Sequence, residues 1–161
     1  MIIGLTGHRP NKLYGYNLET KRYYNLKDRI KEILIENQCE EAVTGMALGA
    51  DIILAYAVLE LKLEGYDIKL HCAIPCRNHS CKWNEHDQKV YNKILQIADK
   101  VTLVTDEEYK PALMQIRNEF IVDTCDKLIA VWNGSKGGTG NCVNYARRKN
   151  KEIIRLEPSQ F

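Results

Sequence analysis

Residues 127–150, KLIAVWNGSKGGTGNCVNYARRKN, contain a strand signal, a glycine-rich turn and a helix signal in direct succession. The apolar run over 127–132 predicts a buried β-strand, and residues 141–150 predict a helix. Four glycines lie between the two signals, and glycine allows a ligand to approach the backbone closely. This order is typical of parallel α/β sheets, in which ligands bind at the turn that follows a strand.

Strand and helix signals alternate along the rest of the chain. Further short apolar segments predict strands at residues 2–6, 41–44, 68–74, 100–104 and 152–156. Apolar residues at helical spacing predict helices around Tyr23, Leu26, Ile30, Ile33 and Leu34, over 51–63, around Val90, Ile94 and Ala98, and around Leu113, Ile116, Phe120 and Ile121. We therefore predict an α/β fold, a Rossmann-like three-layer sandwich with a mostly parallel central sheet, formed by a single domain over residues 1–161.

The composition restricts the class of protein. The 161 residues are 45% hydrophobic and carry a net charge of +2, which is too small to indicate a nucleic-acid partner, and we do not expect one. No apolar run reaches the roughly 18 residues of a membrane span, and the N-terminus lacks the pattern of a signal peptide. The six cysteines lie mostly in core-like segments, so we expect a cytoplasmic protein without a disulfide framework.

Three predicted strands lead into glycine-bearing turns, TGHRP (6–10), TGMALGAD (44–51) and NGSKGGTGN (133–141). The carboxyl ends of parallel strands share one edge of a sheet, so the turns predict one site for a nucleotide-sized ligand, although each turn could simply connect two elements. The candidate binding residues are Thr6, Gly7, His8, Arg9, Gly45, Gly49, Asp51, Asn133, Gly134, Lys136, Gly137, Gly138, Thr139, Gly140 and Asn141. Asp51 suits ribose hydroxyls, or it caps a helix.

Two standard nucleotide-binding fingerprints are absent. The chain has no G-x-x-x-x-G-K-[ST] motif, which excludes a P-loop NTPase. The first strand is not followed by G-x-G-x-x-G, which disfavours ordinary NAD binding, and we expect no cofactor.

The motifs TGHRP, TGMALGAD, RNEFIVDTCD (117–126) and NGSKGGTGN occur in that order. Together they resemble the SLOG superfamily, the Rossmann-like group that contains Smf/DprA and LOG proteins, and they look most similar to its YpsA-like branch. The resemblance implies a nucleotide or nucleotide-derived ligand at the glycine loops and adds Arg117 and Asn118 to the candidate residues. It also suggests a sensor, carrier or sequestering module, and a homo-oligomer.

The resemblance also raises the question of catalysis. Some LOG proteins release a base from a nucleoside monophosphate, and the glutamate of their motif aligns with Asn144 here. Asparagine cannot act as a general base, so we expect binding rather than turnover. The enzyme alternative is hydrolysis of an N-glycosidic bond that uses Arg117 and Asp51. A second alternative is single-stranded DNA binding like that of DprA, for which the balanced charge gives little support.

The segment HCAIPCRNHSCKWNEH (71–86) is rich in potential zinc ligands. Cys76, His79, Cys81 and His86 could gather around a metal, but no C-x-x-C pair occurs, and we expect no metal site. Trp83 and Tyr91 lie in or just after this segment, and they either stack on a base or pack in the core.

Overall fold

The computed structural model describes residues 1–161 and contains one six-stranded sheet in which every pairing is parallel. The strands are β1 (Ile2–Gly7), β2 (Glu41–Thr44), β3 (Lys69–Ile74), β4 (Lys100–Leu103), β5 (Lys127–Val131) and β6 (Glu152–Leu156). Their order in the sheet is β4-β3-β2-β1-β5-β6. All six strands were predicted at these places, because each is a short apolar run between polar or glycine-bearing segments.

Helices cover both faces of the sheet. They are α1 (Lys21–Glu36), α2 (Ala50–Leu63), α3 (Glu85–Ile97), α4 (Ala112–Thr124) and α5 (Gly138–Arg148). Helices α1, α2 and α3 contribute to one large apolar cluster, whereas α4 and α5 pack together on the opposite face. The three-layer, Rossmann-like prediction is therefore confirmed. None of the helices combines the length and apolar character needed to cross a membrane.

The central strand β1 shows how close these layers are. Ile3 and Leu5 are buried in the larger cluster, and Gly4 lies against α4. A Cβ added to Gly4 would lie 2.6 Å from Ile121 Cγ2, so only glycine lets the helix approach this strand. The close contact packs the C-terminal part of α4 directly against the middle of β1.

Two details of the helices differ from the expectations. Helix α5 begins at Gly138, three residues earlier than the 141–150 segment, because the last glycines of the turn form the first helical turn. Helix α4 turns Arg117 inward and leaves Ile116 exposed, although Ile116 was expected on the apolar face. The spacing Leu113, Arg117, Ile121 places all three on one side of the helix, and polar partners make burial of the arginine possible.

Candidate ligand-binding site

A cavity of about 260 Å³ lies at the carboxyl edge of the sheet, where the strand order reverses between β1 and β5. Connections leave these two neighbouring strands toward opposite faces, which opens a crevice where ligands of such sheets bind. The cavity wall consists of Thr6, Gly7, His8, Arg9, Asn11, Lys12, Ala47, Asp51, Met114, Arg117, Asn118, Gly138 and Thr139.

The N-terminus of α5 forms one side of the cavity. Its N-cap is Gly137, which has φ +148° and ψ −163°, and no side chain caps the helix. The amides of Gly138 and Thr139 at the cavity wall have no helical acceptor, because the first turn of a helix leaves its N–H groups unpaired. Lys12 Nζ lies 3.2 Å from Ser135 Oγ and 3.7 Å from the position of a Cβ on Gly137. An ammonium group and a free helix N-terminus thus occur together, which favours an anion.

Arg117 forms the floor of the cavity and is only 4% exposed. Its Nη1 donates to the carbonyl oxygen of Gly45, and its Nε donates to Asn118 Oδ1 at 2.9 Å. The remaining nitrogen, Nη2, has no acceptor in the protein. The guanidinium group is therefore held in place with one donor side left for a ligand.

Asp51 is the one carboxylate in the cavity wall, and it is 6% exposed. Its Oδ2 accepts from the backbone N–H of Ala47 at 3.1 Å, while Oδ1 has no donor in the protein. Burial raises the pKa of Asp51 against the opposing effect of the Arg117 charge, and burial likewise lowers the pKa of Arg117. Both charges are thus kept in the wall at an energetic cost.

His8 connects the turns that follow β1 and β5. Its ring Nε2 lies 2.9 Å from Asn133 Oδ1 and 3.1 Å from the backbone nitrogen of Asn133, and the tautomer of the ring sets which of the two hydrogen bonds forms. Burial lowers the pKa of His8, so the neutral ring joins the two turns without adding a charge. His8 thereby holds the two turns at a fixed separation beside the cavity.

The structure brings many of the sequence candidates into the wall. These are Thr6, Gly7, His8, Arg9, Asp51, Arg117, Asn118, Gly138 and Thr139.

Other candidates lie behind the wall and shape it. A Cβ on Gly45 would lie 2.5 Å from Arg117 Nη1, and one on Gly49, which has φ +97°, would lie 2.6 Å from the carbonyl oxygen of His8. A Cβ on Gly140 would lie 2.9 Å from the carbonyl oxygen of Ser135. These glycines permit close backbone packing rather than direct access to a ligand.

The remaining candidates are exposed and do not line the cavity; they are Asn133, Gly134, Lys136, Gly137 and Asn141. Asn133 contacts the cavity-wall residue His8 through its side chain. Asn144, which aligns with the LOG glutamate, is also exposed on α5 and outside the wall.

Sequence reasoning missed Asn11, Lys12, Ala47 and Met114. Lys12 ends a short 3-10 helix, Pro10–Lys12, that bends the chain after TGHR back toward α5. The sequence did contain a signal for Lys12, because proline favours a tight turn and Lys12 follows Pro10 by two positions.

The cysteine- and histidine-rich segment forms a different arrangement from a metal site. No three His, Cys, Asp or Glu side chains in the structure are grouped to hold a metal ion. His79 instead packs edge-on against Trp83 and Tyr91, with ring centroids 5.2 and 5.6 Å away. All six cysteines are free, and Cys81 alone is exposed.

Comparison with known proteins agrees with this fold. The sequence profile of the YpsA family, described as the YspA SLOG family, matches residues 3–159. The uncharacterized SPbeta prophage-derived protein YoqJ of Bacillus subtilis (strain 168) is 32% identical over 150 residues, which cover 83% of this chain and 88% of YoqJ. A UPF0398 protein of Bacillus thuringiensis (strain Al Hakam) is 27% identical over 156 residues, which cover 94% of this chain and 85% of the relative.

Solved structures of DNA processing protein A share the fold. The protein from Helicobacter pylori, described for its single-stranded DNA binding mode, has a TM-score of 0.68 at 18% identity, and the match covers 98% of this chain and 65% of that one. The protein from Streptococcus pneumoniae has a TM-score of 0.68 at 15% identity, with 96% of this chain and 50% of that one covered. Because the family profile spans almost the whole sequence and YoqJ agrees with it, this chain belongs to the YpsA family of SLOG proteins.

Proposed function

We propose that the chain binds a nucleotide or nucleotide-derived ligand in the cavity beside α5, as a sensor, carrier or sequestering module. The observation that carries the proposal is the composition of this one cavity. An uncapped helix N-terminus, three cationic side chains and one buried carboxylate face the same space. That combination matches the phosphate and the sugar hydroxyls of a nucleotide.

The phosphate belongs at the α5 side of the cavity. The free amides of Gly138 and Thr139 would donate to its oxygens, and Lys12 would add a charge from the opposite turn. Arg9 and Arg117 outweigh the single negative charge of Asp51, so the wall as a whole favours an anion.

Asp51 is placed to accept a hydrogen bond from the sugar of the ligand. Asp51 lines the cavity with an Oδ1 that accepts no hydrogen bond from the protein, and a ribose hydroxyl is the neutral donor that satisfies such an oxygen without adding charge. A bare phosphate would gain nothing from this residue and would be repelled by it. Asp51 therefore favours a ligand that carries hydroxyl groups next to its phosphate.

Binding without turnover is the favoured form of the proposal. Base release requires water activation near the ribose carbon, and Asn144 provides no carboxylate there. One observation favours hydrolysis as a second candidate, since Asp51 is a buried carboxyl group in the cavity wall and burial raises its pKa. Chromatography of nucleoside monophosphates after incubation with the protein separates the two, and intact nucleotides are the expected result.

The binding proposal is tested by calorimetry with ribose 5-phosphate and the four common nucleoside 5′-monophosphates. Lys12→Ala should weaken binding by about tenfold or more, because it removes a charge-assisted hydrogen bond to phosphate. Lys136→Ala is the matched control, since Lys136 is an exposed lysine of the glycine-rich turn before α5 but does not belong to the cavity wall. Equal losses in both variants, or no binding of any phosphate ester by the wild type, would contradict the proposal.

Single-stranded DNA binding, the second alternative, is tested by a separate measurement. DprA-like binding predicts retention of single-stranded DNA that weakens steeply as salt is added. We expect the chain to show no such retention at physiological ionic strength.

A further inference from the structure

A second cavity, of about 470 Å³, adjoins the first. Arg9 and Ala47 belong to the walls of both cavities, so the two cavities are direct neighbours. Residues 78–84, between β3 and α3, supply much of the second wall. The first cavity is rich in charge, whereas the second contains three aromatic residues, Tyr16, Trp83 and Tyr109.

Of these three residues, Trp83 has aromatic packing partners within the protein. Its ring packs edge-on against His79 at 5.2 Å and against Tyr91 at 5.1 Å, with interplanar angles of 66° and 82°. Two such contacts fix the orientation of the indole before any ligand arrives. A rigid aromatic surface of this kind is what a planar heteroaromatic ring stacks on.

Polar groups with fixed positions accompany the aromatic surface. His79 is 7% exposed, and its Nδ1 lies 3.3 Å from the Tyr91 hydroxyl, which leaves Nε2 without a protein partner at the cavity wall. Asn78 Oδ1 accepts from the backbone N–H of Tyr109 at 2.6 Å, which leaves its Nδ2 group as a free donor. The imidazole Nε2 and the Asn78 amide thus give the cavity wall two hydrogen-bonding groups that the protein does not use.

The protonation state of His79 suits this role. Burial lowers its pKa to about 3, and the nearby cations Arg117 and Arg9 act in the same direction. The ring is therefore neutral at physiological pH and presents a hydrogen-bonding nitrogen rather than a charge. A neutral nitrogen matches the neutral edge of a nucleobase.

We propose that the second cavity is a base subsite, in which Trp83 stacks on the heteroaromatic base of a nucleotide and His79 and Asn78 hydrogen-bond to its edge. This inference rests on the proposed function, which places the phosphate at α5. The sugar then passes along the shared wall at Arg9 and Ala47, beside Asp51. The ligand class becomes a nucleotide with an intact base, as distinct from a sugar phosphate.

The first measurement compares ligands that differ only in the base. In calorimetry on the full chain, at least one nucleoside 5′-monophosphate should bind about tenfold or more tighter than ribose 5-phosphate. Trp83→Ala should remove most of that difference and leave ribose 5-phosphate binding unchanged. Trp83→Phe should restore part of it, because phenylalanine keeps an aromatic face.

A second measurement observes the stacking directly. The chain has two tryptophans, Trp83 and Trp132, so Trp132→Phe leaves Trp83 as the sole indole emitter. The tightest-binding nucleotide should quench fluorescence in Trp132→Phe, and ribose 5-phosphate should not. Tyr109→Ala provides a variant outside the His79–Trp83–Tyr91 cluster, and it should also weaken nucleotide but not sugar-phosphate binding.

The outcomes separate the two proposals. Equal affinity for ribose 5-phosphate and every nucleotide, with no quenching of Trp83, overturns the base subsite while the phosphate site stands. Absence of binding by all of these phosphate esters overturns both. A base-dependent gain that is lost in Trp83→Ala and Tyr109→Ala supports the base subsite.

Discussion

Asp51 and Arg117 are charged side chains that the protein buries without joining them in an ion pair, and this arrangement costs stability. Burial opposes the charged form of each, and their mutual attraction offsets only part of that cost. Replacing such charges often leaves a fold unchanged or more stable. Their position in the wall of a cavity therefore points to a ligand as the partner that completes them.

The residue-scale prediction concerns Asp51→Asn. The folded-state pKa of Asp51 is raised, so the wild type loses stability as pH rises above the unfolded value of 3.8 and through the folded pKa. Asparagine carries no charge to bury, so we expect Asp51→Asn to be more stable than the wild type at pH 7 by on the order of 1 kcal/mol. The difference in stability should vanish near pH 3, where the wild-type carboxyl group is protonated in both states. Thermal unfolding between pH 3 and 8 measures this.

The same variant should bind nucleotides more weakly, because the asparagine oxygen is a poorer acceptor for sugar hydroxyls than a carboxylate. A stability loss at pH 7 in Asp51→Asn would instead make Asp51 the structural counter-charge of Arg117.

At the scale of an element, the start of α5 decides how the site is built. The glycine-rich turn contributes its last residues, Gly138 to Gly140, to the first helical turn, and this brings free amides to the cavity. Gly137 is in the backbone region that only glycine adopts readily, whereas Gly138 is not. Gly137 thus permits the backbone conformation before α5, whereas the missing side chain of Gly138 leaves open space at the start of the helix.

Gly137→Ala and Gly138→Ala should therefore have opposite effects. A Cβ on Gly138 meets no protein atom within 4 Å, so this variant should fold with equal or slightly higher stability, by up to about 1 kcal/mol, yet bind nucleotides more weakly. Gly137→Ala should destabilise the fold by about 1–3 kcal/mol, because its φ is +148°. Chemical denaturation of both variants measures the change in fold stability, and calorimetry measures the change in nucleotide affinity. Unchanged affinity in Gly138→Ala would show that the first turn of α5 is not part of the binding site.

Across the whole molecule, burial keeps three histidines uncharged. His71 lies on β3, whereas His8 follows β1 and His79 lies between β3 and α3, and burial lowers the pKa of each. Because the unfolded chain binds protons at these positions more readily than the folded one, acid favours unfolding. The fold is therefore expected to be less stable in mild acid than at pH 7.

His79 should dominate this dependence. Its folded pKa of about 3 lies well below the unfolded value of 6.5, so its contribution is complete above pH 6.5 and is lost progressively toward pH 3. We expect a loss of roughly 3 kcal/mol at pH 4 from this residue. Denaturation of wild type and His79→Gln at pH 4 and 7 tests this, since glutamine does not titrate; equal pH dependence of the two proteins would contradict it.

The amino-acid sequence by itself determined the order and type of the elements, and it predicted the edge of the sheet at which the candidate cavity lies. Those properties follow from local signals: apolar runs for strands such as β5, helical spacing for α1, and glycines after β1, β2 and β5. The family resemblance of the motifs also came from sequence alone, and the match over residues 3–159 confirmed it.

The tertiary structure decided which side chains share a space. Lys12 rather than Lys136 reaches the cavity wall, because the 3-10 helix after Pro10 folds the first turn back over α5. Arg117 points inward because the carbonyl of Gly45, distant in sequence, accepts its hydrogen bond. Trp83 borders the same region through packing against His79 and Tyr91. Such contacts depend on distances between elements, which no local pattern of residues encodes.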